Sequence, residues 1–438
     1  MIVMKFGGTS VGSAARMREV ARLVGAEKRP KVVVLSAMSG TTNRLVEICN
    51  YLSKNNVNAA AECIAALEEQ YRQVCAELLH SPQWLEAGLA LVKEHFAYIS
   101  QFTEDLFTLH EEKAILAEGE LLSTHLFHLY LQENNIPSTL IPALQFMRID
   151  SDGEPELSYI SEHIKPFLAG QEERLIVTQG FICRNSFGEI DNLKRGGSDY
   201  TASLIGAAIM AEEIQIWTDI DGMHNNDPRV VDQTRPIEEL SFEEAAELAY
   251  FGAKILHPSS VLPAKLKGIP VKLLNTMQPE AKGTTISNRT QAGNIKAVAA
   301  KDGITAIKIR SGRMLLAYGF LRAVFEVFER YKTSIDLITT SEVAISVTID
   351  DKKYLAEIQS DLAQFGVVEV DEDQCIVCVV GDFIADNKGI ASRVFQALES
   401  IPIRMISYGG SKNNISMLVH ANDKIKALQL LNKHVFQL

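Results

Sequence analysis

Met1-Ile-Val-Met-Lys-Phe-Gly-Gly-Thr-Ser-Val-Gly12 opens the chain, and its reading decides the fold. Ile2 to Met4 form an apolar run of the kind that makes a buried strand. Lys5, Gly7 and Gly8 follow, then Thr9 and Ser10, and a helix is predicted from Ser13. Glycines behind a strand let backbone N–H groups close on an anion with no Cβ in the way. A helix N-terminus adds partial positive charge, and Lys5 adds a full one. The pattern predicts a loop for a nucleotide phosphate; a plain strand-to-helix turn is the alternative. Two better-known phosphate loops are excluded. Gly7 and Gly12 have the glycine spacing of GxxxxGK[ST], but Ser13 and Ala14 stand where Lys and Ser/Thr belong, and there is no GxGxxG. Here the lysine precedes the glycines.

Composition sets the wider frame. The chain has 438 residues, enough for two or three domains. Its 47% hydrophobic and 22% charged content is that of a globular protein. No stretch reaches the roughly 18 apolar residues of a membrane span, and the N-terminus lacks the pattern of a secretory leader. A cytoplasmic protein with no membrane partner is expected. A net charge of -12 argues against a nucleic-acid surface. The six cysteines are sparse and irregular, which suits a reducing compartment. Cys375 and Cys378 have CxxC spacing but lie in a β-type run, where residues i and i+3 point to opposite faces. They read as core thiols, and no metal site is expected.

Further along, Lys31-Val-Val-Val-Leu-Ser36 reads as a second buried strand and Ala37-Met-Ser-Gly-Thr-Thr42 as the loop after it. From 59 to 113 the pattern is helical, broken at Ser81-Pro82: a helical hairpin inserted into an α/β sheet. A third helix is expected over 118–133, and further strands over 139–141, 174–181, 214–219 and 270–274. Alternating strands and helices with buried strands give a mostly parallel sheet between helices. A polar stretch at 287–293 reads as a linker, and an internal repeat follows it. Each copy has the order βαββαβ, and Thr333-Ser-Ile-Asp-Leu-Ile matches Ile401-Pro-Ile-Arg-Met-Ile. The second copy ends one strand short, and 296–300 is the unpaired strand that completes it. The domains expected are therefore 1–288, then 301–372 inserted into a second repeat made of 295–300 and 373–438. This pair resembles ACT domains, which bind small amino acids at their interfaces; a purely structural dimerisation unit is the alternative.

Taken in series, the motifs resemble the aspartokinase family within the amino-acid kinase fold. They are Lys5-Phe-Gly-Gly-Thr-Ser10, Leu35-Ser-Ala-Met-Ser-Gly-Thr-Thr-Asn43, Gly119-Glu-Leu-Leu-Ser123, Val177-Thr-Gln-Gly-Phe181 and Arg195-Gly-Gly-Ser-Asp-Tyr-Thr201. Trp217-Thr-Asp219, Asp227-Pro-Arg-Val-Val231 and Phe251-Gly-Ala-Lys-Ile-Leu-His-Pro258 complete the series, in family order. The resemblance implies transfer of the ATP γ-phosphoryl group to the β-carboxylate of L-aspartate. An ionised carboxylate is already a nucleophile at pH 7. Catalysis then rests on alignment and charge neutralisation rather than on a general base. By resemblance Lys5, Asp199 and Lys254 are catalytic. Phe6, Gly7, Gly8, Thr218, Asp219 and Arg229 join Lys5 and Lys254 around ATP. Mg²⁺ is expected on the nucleotide phosphates, not in a protein cage. Arg195 would take aspartate's α-carboxylate and Glu120 its α-amino group, with Ser36 and Thr42 at the reacting end. Each has a blander alternative: a solvated Glu120, a surface-paired Arg195, an Asp199 that only caps a helix. His224 departs from the tyrosine of many relatives. His125 and His128, at i and i+3, read as packing residues.

In the repeat, the resemblance places an amino-acid effector, L-lysine, at Met314, Gly319, Phe320, Leu321, Asp336, Thr340, Ser341 and Glu342. Ala317 departs from the serine of some lysine-sensing relatives. A homodimer or tetramer through the ACT domains is expected. Two other readings are carried: a kinase of the same fold acting on glutamate, acetylglutamate or a nucleoside monophosphate, and a non-catalytic amino-acid sensor.

Overall fold

Buried apolar strands need cover on both faces, and that requirement builds the first part of the molecule. The computed structural model describes all residues except 105–106, 170–174, 194–195, 253–255, 290–294, 313, 315–317 and 382–386. They fall into two units, one of 1–223, 238–242 and 256–288, the other of 224–237, 243–255 and 289–438.

The first unit holds β1 (Ile2–Phe6), β2 (Lys31–Leu35), β3 (Ser138–Leu140), β4 (Leu175–Gln179), the pair β5 (Ile182–Arg184) and β6 (Ile190–Asn192), β7 (Ile214–Thr218), β8 (Glu239–Ser241), β9 (Val271–Asn275) and β10 (Thr284–Ser287). Eight of these form one sheet in the order β3-β4-β2-β1-β7-β9-β10-β8. Its pairings are parallel except that of β9 with β10. Every residue of β1 and β2 is buried, as continuous apolar runs require. The helices are α1 (Ala14–Ala26), α2 (Thr41–Ser53), α3 (Val57–Leu78), α4 (Pro82–Gln101), α5 (Leu109–Glu133), α6 (Leu157–Leu168), α7 (Gly197–Ile209), α8 (Phe242–Tyr250) and α9 (Leu262–Lys267). Only Phe242 of α8 belongs to this unit. The inserted hairpin is α3 and α4. The helix expected over 118–133 starts earlier, at Leu109, because Thr108 and Glu111 form a capping box there. Gly119 does not break it; a Cβ there would lie 2.9 Å from the Ala37 Cβ, so this glycine lets α5 approach the loop after β2.

In the second unit one antiparallel sheet has the order β12-β13-β11-β14-β16-β15. The strands are β11 (Ile295–Arg310), β12 (Ile338–Thr340), β13 (Ala344–Ile349), β14 (Val367–Gly381), β15 (Met405–Tyr408) and β16 (Asn414–His420). The helices are α10 (Phe320–Arg330), α11 (Leu355–Leu362), α12 (Ile390–Ala397) and α13 (Lys424–Leu431). The expected pair of βαββαβ repeats shares this sheet. β11 runs through both, with register shifts between Lys301 and Ile304 where one repeat hands over to the other. Each repeat keeps its own core, Ile307, Val324, Phe328 and Ile345 in one, Val377, Val394, Met417 and Leu428 in the other. β12 begins only at Ile338; just before it the Leu337 N–H goes to the Thr348 hydroxyl at 2.9 Å. Segments 224–237 and 243–255 are tied to this unit by polar contacts. Asn226 donates to the Leu428 carbonyl at 3.0 Å, and Glu247 accepts from Ser411 and Asn414 at 2.8 and 2.6 Å.

Candidate active site

Parallel sheets gather ligands at the carboxyl ends of their strands, and in the first unit the loops after β1, β2, β4 and β7 meet there. Behind β1 the chain turns tightly. The Gly7 N–H donates to the Trp217 carbonyl at 3.2 Å, and the Gly7 carbonyl accepts from Ser10 at 2.9 Å. Phe6 stacks on Trp217 with centroids 5.8 Å apart, which fixes β1 against β7. A Cβ at Gly8 would fall 2.9 Å from the Ala37 carbonyl oxygen, so only glycine allows the loops after β1 and β2 to touch.

Lys5 is 9% exposed, and its Nζ lies 2.7 Å from Oδ1 of Asp199, in the first turn of α7. That turn is itself locked. A Cβ at Gly180 would lie 2.5 Å from Ser198, and one at Gly197 would lie 2.3 Å from the Phe181 ring. At the end of β7 the Thr218 carbonyl accepts from Thr276 at 2.8 Å, and the Thr276 hydroxyl meets that of Ser10 at 2.7 Å. Thr218 is thereby coupled to the loop after β1, with Asp219 exposed beside it.

Opposite, α5 carries Glu120, 3% exposed. Its Oε1 accepts the Ala37 N–H at 3.1 Å, while Oε2 is buried without a hydrogen-bond partner among the described residues. Burial pushes the Glu120 carboxyl up to about 8. A cleft of about 320 Å³ opens between these walls, lined among others by Gly8, Ser36, Thr42, Asn43, Glu120 and Ser198. The loop that supplies Ser36 and Thr42 is held from behind. Ser123 donates to the Ser36 carbonyl at 2.8 Å, and the fully buried Tyr71 hydroxyl meets that of Thr41 at 2.9 Å.

The structure therefore brings Lys5, Gly7, Gly8, Ser36, Thr42, Glu120 and Asp199 together at the carboxyl ends of β1 and β2. Thr218 and Asp219 stand at the end of β7, next to β1 in the sheet. Lys254 and Arg195 lie outside the described residues. Arg229 belongs to the second unit, where its exposed guanidinium forks onto Asp227 at 2.9 and 2.7 Å. His224 is in that unit too, with Nδ1 2.7 Å from the Thr234 hydroxyl. Asn43 and Ser198 line the cleft although sequence reading gave them no role; both sit inside motifs it quoted. Tyr71 carried no signal at all.

In the second unit Asp336 has a side chain only 1% exposed, bonded to Lys301 Nζ at 2.7 Å and to the Tyr250 hydroxyl at 2.6 Å. Gly319, with φ +80°, begins α10. Met314 packs on the first repeat's core, and Leu321, Thr340, Ser341 and Glu342 are exposed. Cys375 and Cys378 are free and buried, their thiols raised by burial.

A model of the amino acid kinase family matches residues 1–275, and one of the ACT domain matches 377–435. Lysine-sensitive aspartokinase 3 of Escherichia coli (strain K12) is 33% identical over 100% of this chain and 99% of its own length. Aspartokinase 1, chloroplastic, of Arabidopsis thaliana is 34% identical over 99% of this chain and 80% of its own. Among solved structures, E. coli aspartokinase III in complex with aspartate and ADP (R-state) superposes with a TM-score of 0.84 at 33% identity, covering 100% of both chains. The same enzyme in complex with lysine and aspartate (T-state) gives 0.82 at 34% identity, covering 100% of this chain and 99% of that one. The glycine loop with its Lys5–Asp199 pair and the double repeat that follows in the sequence thus stand in a chain that belongs to the aspartokinase family.

Proposed function

We propose that this aspartokinase, which phosphorylates L-aspartate with ATP, divides the reaction between the two walls of the cleft. The observation that carries the reading is a cleft lined by Gly8, Ser36, Thr42 and Glu120, whose Oε2 has no hydrogen-bond partner among the described residues, with Lys5, paired to Asp199, at the end of β1 just before the glycines. On one wall Lys5, Phe6, Gly7 and Gly8 receive the phosphates, with Thr218 and Asp219 along the nucleotide and Asp199 orienting Lys5. On the other, Glu120 takes the aspartate ammonium group, and Ser36 and Thr42 hold the reacting carboxylate. Lys254, Arg229 and Arg195 keep the roles that the resemblance implies. Membership in the family separates this chain from same-fold kinases of other acids and from a non-catalytic sensor.

The phosphate wall offers an ammonium, backbone N–H groups and hydroxyls, donors that suit phosphate oxygens rather than a divalent cation. Mg²⁺ fits there as an ion carried by the nucleotide, where it would neutralise phosphate charge. Six free, buried cysteines among the described residues accord with a reducing cytoplasm, and no described helix is long and apolar enough to cross a membrane.

The effector reading is L-lysine, which the T-state relative binds. Asp336, with Met314, Gly319, Phe320, Leu321, Thr340, Ser341 and Glu342, forms its site. The second repeat has Arg404 at the position of Asp336, paired with Asp371, so an ammonium group is repelled there. The domain division into 1–288, 301–372 and 295–300 with 373–438 follows from the same reading. Exposed Ile338 and Ile406 on the edge strands β12 and β15 support pairing of two copies through this sheet.

The test is formation of aspartyl hydroxamate from ATP, Mg²⁺, L-aspartate and hydroxylamine, with and without millimolar L-lysine. Aspartate-dependent product suppressed by lysine is the expected result. Folded protein that binds ATP but makes no product would sink the assignment of the cleft. A second expectation concerns Tyr71. Its hydroxyl supports the loop carrying Ser36 and Thr42, and losing a buried hydrogen bond costs about 1 kcal/mol. Tyr71→Phe should raise the aspartate KM about threefold to tenfold and leave the ATP KM unchanged in steady-state assays. Equal change in both constants would mean a general loss of packing.

A further inference from the structure

Asp336 is the group to which the effector's ammonium is assigned, yet in this structure it already holds an ammonium from its own chain. Lys301 Nζ lies 2.7 Å from its Oδ1 and 2.9 Å from Oδ2 of Asp350. Lys301 also sits 4.4 Å over the Tyr250 ring, whose hydroxyl donates to the same Oδ1 at 2.6 Å. The backbone is shaped for this. β11 slips register just after Lys301, and Gly303, at φ +73°, makes the irregularity possible. On the other side Asp336 is clamped by its own N–H, which donates to the Thr348 carbonyl at 2.9 Å.

The remaining oxygen of Asp336, Oδ2, is buried and has no hydrogen-bond partner among the described residues. A carboxylate with one oxygen used and one idle, on a side chain 1% exposed, is built for a cation but not for two at once. A second ammonium arriving beside Lys301 would meet a like charge in a poorly solvated place. Asp350, by contrast, is 42% exposed and already in contact with Lys301, so it can keep that charge paired when Asp336 is taken.

We propose that Lys301 is the resident occupant of the effector site, holding Asp336 when no effector is present, and that the effector's ammonium binds by displacing it toward Asp350. The proposal rests on the reading of Asp336 as the effector's anchor. Its consequence reaches beyond affinity, because the contact broken is also one that holds Tyr250. The segment after Tyr250 lies against the same strand, where a Cβ at Gly252 would fall 2.2 Å from the Ala300 carbonyl oxygen. Two residues further along the sequence is Lys254, assigned to the nucleotide. Exchange of one ammonium for another thus changes the contacts of Tyr250 and of the strand against which Gly252 packs.

Calorimetric titration of L-lysine into full-length protein tests this, using wild type, Lys301→Met and Lys301→Arg. Methionine keeps the stem but removes the competing charge, so L-lysine should bind at least about tenfold more tightly. Arginine keeps the charge and grips a carboxylate with two parallel bonds. In that variant, which retains the buried pair and so the fold, L-lysine should bind several times more weakly. Wild type that fails to bind while Lys301→Met binds would also support the proposal, since the resident then excludes the effector. Affinities unchanged by either substitution would overturn it and leave the effector reading intact. Equal or tighter binding by Lys301→Arg would overturn it even without a folded methionine variant. No binding by any of the three proteins would overturn both.

Discussion

Lys5→Met is expected to cut aspartate-dependent turnover about a thousandfold or more, with the fold retained. Phosphoryl transfer leaves little covalent work to the protein, and most catalysis is positioning and charge stabilisation. Removing one preorganised donor from such a site costs about 10² to 10³ in kcat. Lys5 is more than a neutral donor. It brings a full charge to a place where it is only 9% exposed, so water screens it poorly. Methionine would also leave the Asp199 carboxylate without its cation, which at the proposed phosphate site adds repulsion to lost attraction. Asp199→Asn should be milder, about tenfold to a hundredfold, because the lysine charge survives and only its orientation suffers. The double variant should be about as slow as Lys5→Met alone, since the two act as a unit. Hydroxamate assays with thermal melts decide it. A Lys5→Met protein that keeps a tenth of wild-type kcat would remove Lys5 from the chemistry.

Much of this site could be read from local sequence because its parts are local. A strand, a lysine, two glycines and a helix start lie within twelve residues, and each has a physical reason to follow the last. Asp199 was legible as the acid in the first turn of a helix, and Glu120 as a carboxylate in a motif. What sequence could not give is the environment that makes Glu120 unusual. Its burial depends on Gly119 letting α5 close on Ala37, a contact between distant segments that nothing local announces. Tyr71 was invisible for a related reason: its partner Thr41 is 30 residues away, and only the packing of α3 on α2 joins them. The allegiance of 224–237 and 243–255 to the second unit has the same origin. It rests on bonds such as Asn432 to the Gln233 carbonyl at 2.9 Å, between residues with no local pattern to betray them.

Glu120 gives the second large effect, and its pH dependence has a definite sign. Burial holds the carboxyl at about 8, against an ordinary 4.5, so at neutral pH most molecules carry the proton. In the role proposed for Glu120, the aspartate ammonium pairs with the ionised form. Binding must therefore expel that proton below pH 8, and affinity for aspartate should rise about tenfold between pH 7 and pH 9, flattening above 8. Calorimetry in buffers of different ionisation heat would read the released proton directly. Glu120→Gln removes both the charge and the titration. A charge-assisted hydrogen bond contributes about 1.5–3 kcal/mol, so the aspartate Kd should rise about tenfold to a hundredfold and lose its slope with pH. The same shift acts on stability with the opposite trend. Because the folded state binds this proton more tightly than the unfolded chain, its stabilising effect is complete below about 4.5 and is lost as pH climbs through about 8. Bound aspartate should cancel that loss by supplying a counter-charge to the ionised Glu120. Melting curves at pH 6 and pH 9 should therefore show aspartate stabilising the protein more at the higher pH, and Glu120→Gln should show no such difference. A wild-type affinity independent of pH across this range would mean that the buried oxygen of Glu120 faces something other than the substrate ammonium.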